Sequence, residues 1–151
     1  MKEICGLPMD EGVKLIDFDC VDSRMFVLSD DLTLVEIDLE NNEVKREVNL
    51  SQIVGAEIIQ GQKAKAFSVF KELDMFAIST KTCVVLFDYE SGDPNIVRII
   101  QVPDVTYITW CECVVVLCIE DEDSDDITLS CYELEGEEPE GKITIKRFMS
   151  Q

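Results

Sequence analysis

Apolar and polar residues alternate along this chain in short runs, and the i, i+3, i+4 spacing of an amphipathic helix is nearly absent. The runs cover residues 14–19, 24–29, 32–39, 44–50, 65–70, 74–79, 82–89, 96–102, 105–110, 113–119, 127–134 and 142–148. Turn formers separate them: Asp22-Ser23, Asp30-Asp31, Asn41-Asn42, Lys81, Ser91-Gly92-Asp93-Pro94, Pro103-Asp104 and the acidic stretch 120–126. Short β-rich runs with turn chemistry between them predict an all-β fold of twelve strands. Residues 50–60 are the one ambiguous stretch. Ser51 is placed there to cap a short helical turn, and helix is expected nowhere else.

Laid over itself, the chain matches residues 25–40 to 75–90 without a gap. The identities are Met25/Met75, Phe26/Phe76, Ser29/Ser79, Val35/Val85, Asp38/Asp88 and Glu40/Glu90. Residues 127–135 match 32–40 as a third copy, so the twelve strands divide into three units of four. The organisation read from this is an N-terminal extension over 1–12, a first unit over 13–50, a connector over 51–63, a second unit over 64–102 and a third over 103–151.

In each unit the third strand ends in a bulky residue followed by an acid, Ile37-Asp38, Phe87-Asp88 and Tyr132-Glu133, and then a turn. A four-stranded unit with this ending resembles a blade of a WD-repeat β-propeller. The resemblance spans about residues 13–148 and implies three four-stranded antiparallel blades of a partial propeller. It further implies that the bulky side chain packs between neighbouring blades while the acid hydrogen-bonds turn backbone. The Gly-His element of a standard WD repeat is missing. Residues 24–54 and 74–118 are similar, in addition, to the C-terminal blades of the non-catalytic WD-repeat subunit of eukaryotic tRNA guanine-N7 methyltransferase. That likeness implies a protein that stabilises a catalytic partner and contributes little chemistry itself. A β-trefoil, with its threefold repeat of four strands, is the alternative fold.

Composition narrows the chemistry. The 151 residues hold 13 Lys and Arg against 32 Asp and Glu, a net charge of −19, and no histidine. Ser-His-Asp and Cys-His catalysis and imidazole-ligated zinc are therefore excluded. A potential this negative also repels phosphates and disfavours direct nucleic-acid binding. Seven cysteines are an odd number. Residues 1–12 hold no apolar core of the roughly 7 to 15 residues that a secretory signal needs. The longest apolar run, residues 113–119, is far shorter than the ~20 residues of a membrane span. The expectation is a soluble protein with reduced thiols, cytoplasmic or nuclear, without a cofactor or a membrane partner.

Four features invite a sharper reading. Glu120, Asp121, Glu122, Asp123, Asp125 and Asp126 form an oxygen-rich tract, but in an EF-hand register from Asp121 the glycine position is Asp126 and the closing acid is Tyr132. The tract is read as a solvated hairpin tip whose charge is available to a basic partner surface. Cys111 and Cys113 share a strand face, and Cys118 and Cys131 are near enough in the predicted hairpin to approach, yet no CxxC pair completes a zinc site. Small buried hydrophobes explain these cysteines better. Phe67, Phe70, Phe76, Phe87, Tyr89, Tyr107 and Trp110 sit inside strands with few basic residues among them, which favours core packing over a nucleotide-stacking platform. Lys142, Lys146 and Arg147 form the one local basic cluster and are placed to neutralise Glu137, Glu138 and Glu140.

The functional expectation is a non-enzymatic interaction or scaffold module. Accessory subunit of an RNA-modifying enzyme and trefoil ligand or binding domain are the alternatives. Three blades leave end faces uncovered, expected to carry Leu15, Phe18, Phe26 and Leu28 at one end and Val114, Val116, Leu129 and Ile143 at the other. A protein partner or a homodimer is expected to complete the propeller.

Overall fold

The computed structural model describes residues 14–89, 92–112, 114–120, 123, 126–134 and 141–146. Its strands are β1 (Leu15–Val21), β2 (Arg24–Ser29), β3 (Thr33–Asp38), β4 (Glu43–Asn49), β5 (Ala66–Phe70), β6 (Met75–Ser79), β7 (Val84–Asp88), β8 (Asn95–Ile100), β9 (Tyr107–Cys111), β10 (Val114–Glu120), β11 (Asp126–Glu133) and β12 (Gly141–Lys146). Each run read from the sequence holds one of them, with ends shifted by one or two residues. Alternation of apolar residues every second position is what a sheet with two different faces demands, and it locates strands well.

The strands pair antiparallel in chain order into three separate four-stranded sheets, β1–β4, β5–β8 and β9–β12. Three separate meanders rule out the trefoil, which would join its hairpins into one barrel. In the hairpin turns Asp22, Asp74 and Glu112 take left-handed backbone, with φ of 56°, 50° and 55°. Asp tolerates this region better than most residues. Two 3-10 turns, Leu50–Gln52 and Glu57–Ile59, fall in the connector. The first is capped by Asn49, whose side chain accepts from the Ser51 N–H at 3.0 Å, so Ser51 receives the cap and does not supply it. A third, Lys71–Leu73, lies outside the connector, because the β5–β6 link folds as one tight turn ending on left-handed Asp74.

Strand β5 lies beside β1 and β9. The first strands of the sheets thus stand together along one inner edge, and β4, β8 and β12 are outermost. The sheets pack face to face in chain order. At the first seam Phe26, Leu28 and Leu34 of sheet one meet Phe76, Ile78, Val85 and Phe87 of sheet two. At the second, Met75, Ala77, Val84 and Leu86 meet Val115, Leu117 and Tyr132 of sheet three.

The strand registers correct the internal alignment. Asp38 pairs with Arg24 and Leu34 with Leu28, whereas Asp88 pairs with Met75 and Val84 with Ser79. The β2–β3 turn is thus one residue longer than the β6–β7 turn, and it holds Leu32 in left-handed backbone (φ 70°) with its side chain buried. Strands β3 and β7 correspond as aligned, but β2 and β6 are slipped by one, so Arg24 matches Met75 and Phe26 matches Ala77. A one-residue slip sends side chains to the opposite face. Phe26 and Leu28 are buried in the first seam instead of lying on an outer face. Leu15 is exposed, and the side chain of Phe18 lies outside the described residues. The outer face of sheet one carries Val27, Val35 and Ile37, only 5%, 7% and 1% exposed.

Candidate partner-binding site

Ile37, Phe87 and Tyr132 occupy equivalent places on the face each sheet turns toward the start of the chain. Phe87 stacks on Phe76 at 5.0 Å in the first seam. Tyr132 lies in the second seam with the Arg98 guanidinium 5.5 Å from its ring centre. Asp38 Oδ1 accepts from the N–H groups of Glu40 (2.9 Å) and Asn41 (3.2 Å), and its Oδ2 accepts from Asn41 Nδ2 (2.8 Å). Asp88 is half-buried, and Glu133 is exposed with its carbonyl accepting from Arg98.

The Asn41 side chain and then the Asn41 backbone N–H hold the Asp38 carboxyl below its ordinary pKa. At Asp31 partial burial acts upward, but the hydrogen bonds from Ser29 and Thr33 outweigh it and the pKa is again lowered. A carboxyl depressed in the folded state adds stability that is complete above its unfolded pKa and is lost as pH falls through the folded value. We expect Asp31→Asn/Asp38→Asn to lie below the parent in stability at pH 7 and to converge on it below about pH 4 in paired urea titrations. A gap that stays constant with pH would contradict the assignment.

Across the seams run arginines that the sequence reading did not single out. Glu36, 5% exposed at its side chain, accepts from Arg46 Nε at 2.9 Å and pairs with Arg24 Nη1 at 3.4 Å. Arg46 reaches Asp93 of sheet two at 3.7 Å, and Arg24 reaches Asp74 at 3.9 Å. The Arg24 guanidinium also sits 5.7 Å and 5.4 Å from the ring centres of Phe26 and Tyr89. Arg46 pairs with Glu36, Arg98 with Leu86, and Gly141 with Cys131, so these three outermost-strand positions are equivalent. Arg46 and Arg98 each cross to the next sheet. Gly141 has no side chain to do so. An acid inside the apolar run 32–39 was the available signal for this cluster.

The outer face of sheet three is built from Val114, Val116 and Cys118 of β10 and Ile127, Leu129 and Cys131 of β11, all half-buried. Exposed Glu120 and Glu133 flank it. Ile143 and Ile145 pair in register with Leu129 and Ile127, while their side chains, with those of Lys142 and Lys146, lie outside the described residues. Glu120 ends β10, Asp126 begins β11 and Asp123 is exposed between them; Asp121, Glu122 and Asp125 lie outside the described residues, as do Cys113, Arg147 and the acids at 137, 138 and 140. No group of three or more His, Cys, Asp or Glu among the described residues could hold a metal ion. None of their helices is long and apolar enough to cross a membrane.

The aromatic residues divide in two. Phe67, Phe76, Phe87 and Tyr89 are buried in the first seam. Phe70 of β5 and Trp110 of β9 stack on each other at the second seam, where Trp110 packs against the core, and Tyr107 of β9 is 67% exposed. Two grooves run along the inner edge. One, of about 410 Å³, includes Ile16, Lys65 and Tyr107 at the strand starts; the other, of about 640 Å³, includes Cys20, Phe70 and Trp110 at the strand ends.

This geometry is that of three successive propeller blades. Solved structures agree. The WD40 domain of Toxoplasma gondii coronin superposes with a TM-score of 0.67 at 14% identity, covering 91% of this chain and 35% of that one. Saccharomyces cerevisiae Sqt1 gives 0.64 at 9% identity, covering 85% and 34%. Chaetomium thermophilum Raptor gives 0.68 at 11% identity, covering 91% and 12%. The fold is WD40-like, and the chain spans about a third of the length of the first two and about an eighth of the third. No protein-family model and no curated protein matches the sequence.

Proposed function

We propose that the chain is a non-catalytic protein-interaction module whose three blades join further propeller blades through the outer face of sheet three. One observation carries this reading. The two internal seams bury residues such as Phe76, Val84 and Leu117 completely, while the equivalent apolar face of sheet three is only half-buried. A contiguous apolar face left only half-buried is characteristic of interaction sites. WD40-like neighbours support an interaction role over an enzymatic one.

The joining blades come from another polypeptide or another part of the same one. A ring of two copies would set this face against the outer face of sheet one, where Val27, Val35 and Ile37 are already buried. Light scattering tests the proposal. The purified chain should give a mass above 17.1 kDa that rises with concentration, and Val116→Asn/Leu129→Asn should return it to a monomer. A monodisperse parent monomer overturns the reading. Mass spectrometry of material co-purified from the source cell separates the finer possibilities: a tRNA methyltransferase catalytic subunit supports the accessory-subunit reading, and an unrelated complex supports the general one.

A further inference from the structure

The larger groove of the inner edge has a chemistry that the chain repeats elsewhere. Phe70 and Trp110 stack there with ring centres 5.0 Å apart and planes at 10°. The indole Nε1–H donates to the Ser68 carbonyl at 3.3 Å, which fixes the ring. Both rings are half-buried, and the groove walls include exposed Glu72 and Glu112 with Lys71 beside them. At each seam the chain places a guanidinium over an aromatic ring: Arg24 over Phe26 and Tyr89 with Glu36 and Asp74 as counter-ions, and Arg98 over Tyr132. Among the described residues no arginine stands over Phe70 or Trp110, although aromatic rings and carboxylates again line one groove.

The geometry points to this groove as the seat of an arginine side chain from a basic segment of a protein partner. The guanidinium plane stacks on aromatic rings while its N–H fork donates to carboxylates, which an ammonium ion matches less well. Two carboxylates against one lysine favour a cation, and the charge of −19 draws basic segments in from a distance. The same charges disfavour a nucleotide, whose phosphates they repel. This site assignment rests on the reading that the blades serve protein partners.

Trp110 is the sole tryptophan of the chain, so its fluorescence reports on the groove directly. Titration with an octa-arginine peptide should change its emission saturably, octa-lysine should bind more weakly and octa-glutamate should not bind. Glu72→Gln/Glu112→Gln should weaken octa-arginine binding about tenfold, the loss of two charge-assisted contacts. Glu43→Gln/Glu57→Gln, which removes the same charge from exposed positions elsewhere, should change it less than twofold. No saturable change, or equal weakening by both double variants, overturns the assignment and leaves the light-scattering result untouched. Saturable, Glu72-dependent binding by a chain that stays monomeric would uphold the groove and overturn the blade-joining surface.

Discussion

Replacing Phe87 by alanine is expected to cost about 4 kcal/mol, within the range for a fully buried aromatic side chain. Phe87 is fully buried, stacks on Phe76 and stands in the first seam, where it fills the space between two rigid sheets. Sheets packed through their own hydrogen-bonded strands collapse poorly around a lost ring, so the cavity persists, and the stacking contact adds roughly 1 kcal/mol to the loss. Urea unfolding at one fixed protein concentration should show the midpoint lowered by about 2 M. Phe87→Leu, which keeps most of the volume, should lose about a quarter of that. If alanine and leucine variants unfold together near the parent, the first seam is not the stabilising core described above.

Glu36→Leu alone should cost about 2 kcal/mol, because it leaves Arg24 and Arg46 facing each other at a seam with no carboxylate between them. The figure is held below that for a fully buried pair because both arginine side chains are 30% exposed and retain Asp74 and Asp93. The chain supplies its own apolar substitute. At the equivalent places sheet two has Met75 for Arg24 and Leu86 for Glu36, and it keeps Arg98 where sheet one has Arg46. Arg24→Met/Glu36→Leu should therefore recover to within about 1 kcal/mol of the parent, since an apolar replacement of a whole buried ion pair is often neutral. A double variant no better than Glu36→Leu would show that the arginine stabilises through its rings alone.

Strand positions were legible because a face buried on one side writes itself into the sequence with period two. The three-unit repeat was legible for the third strands, where Val35/Val85 and Asp38/Asp88 are true equivalents. It misled for β2 and β6, because turn length is a property of Leu32 and its backbone, and no periodicity reports one residue gained in a turn. The face expected for Phe26 and Leu28 was wrong, because alternation shows which residues share a face and not which neighbour that face meets. The seam arginines were hidden differently: Arg46 and Asp93 meet only once two sheets are stacked, so their spacing along the chain carries no signal. The division of the aromatics between the two seams has the same origin. Phe67 and Phe70 lie on one strand but on different faces and at different ends of it.

The burial of Val27, Val35 and Ile37 on the outer face of sheet one bears on stoichiometry. A molecule with complementary apolar faces at both ends can add to itself without stopping and produce a filament. Here Ile37, Val35 and Val27 are already buried, while Met25 and Leu39 are half-buried and Val44 is exposed, so a copy arriving at that end meets little open apolar surface. Head-to-tail addition of one copy to another is therefore disfavoured from its first step, so the joint proposed at sheet three is not expected to propagate into a filament.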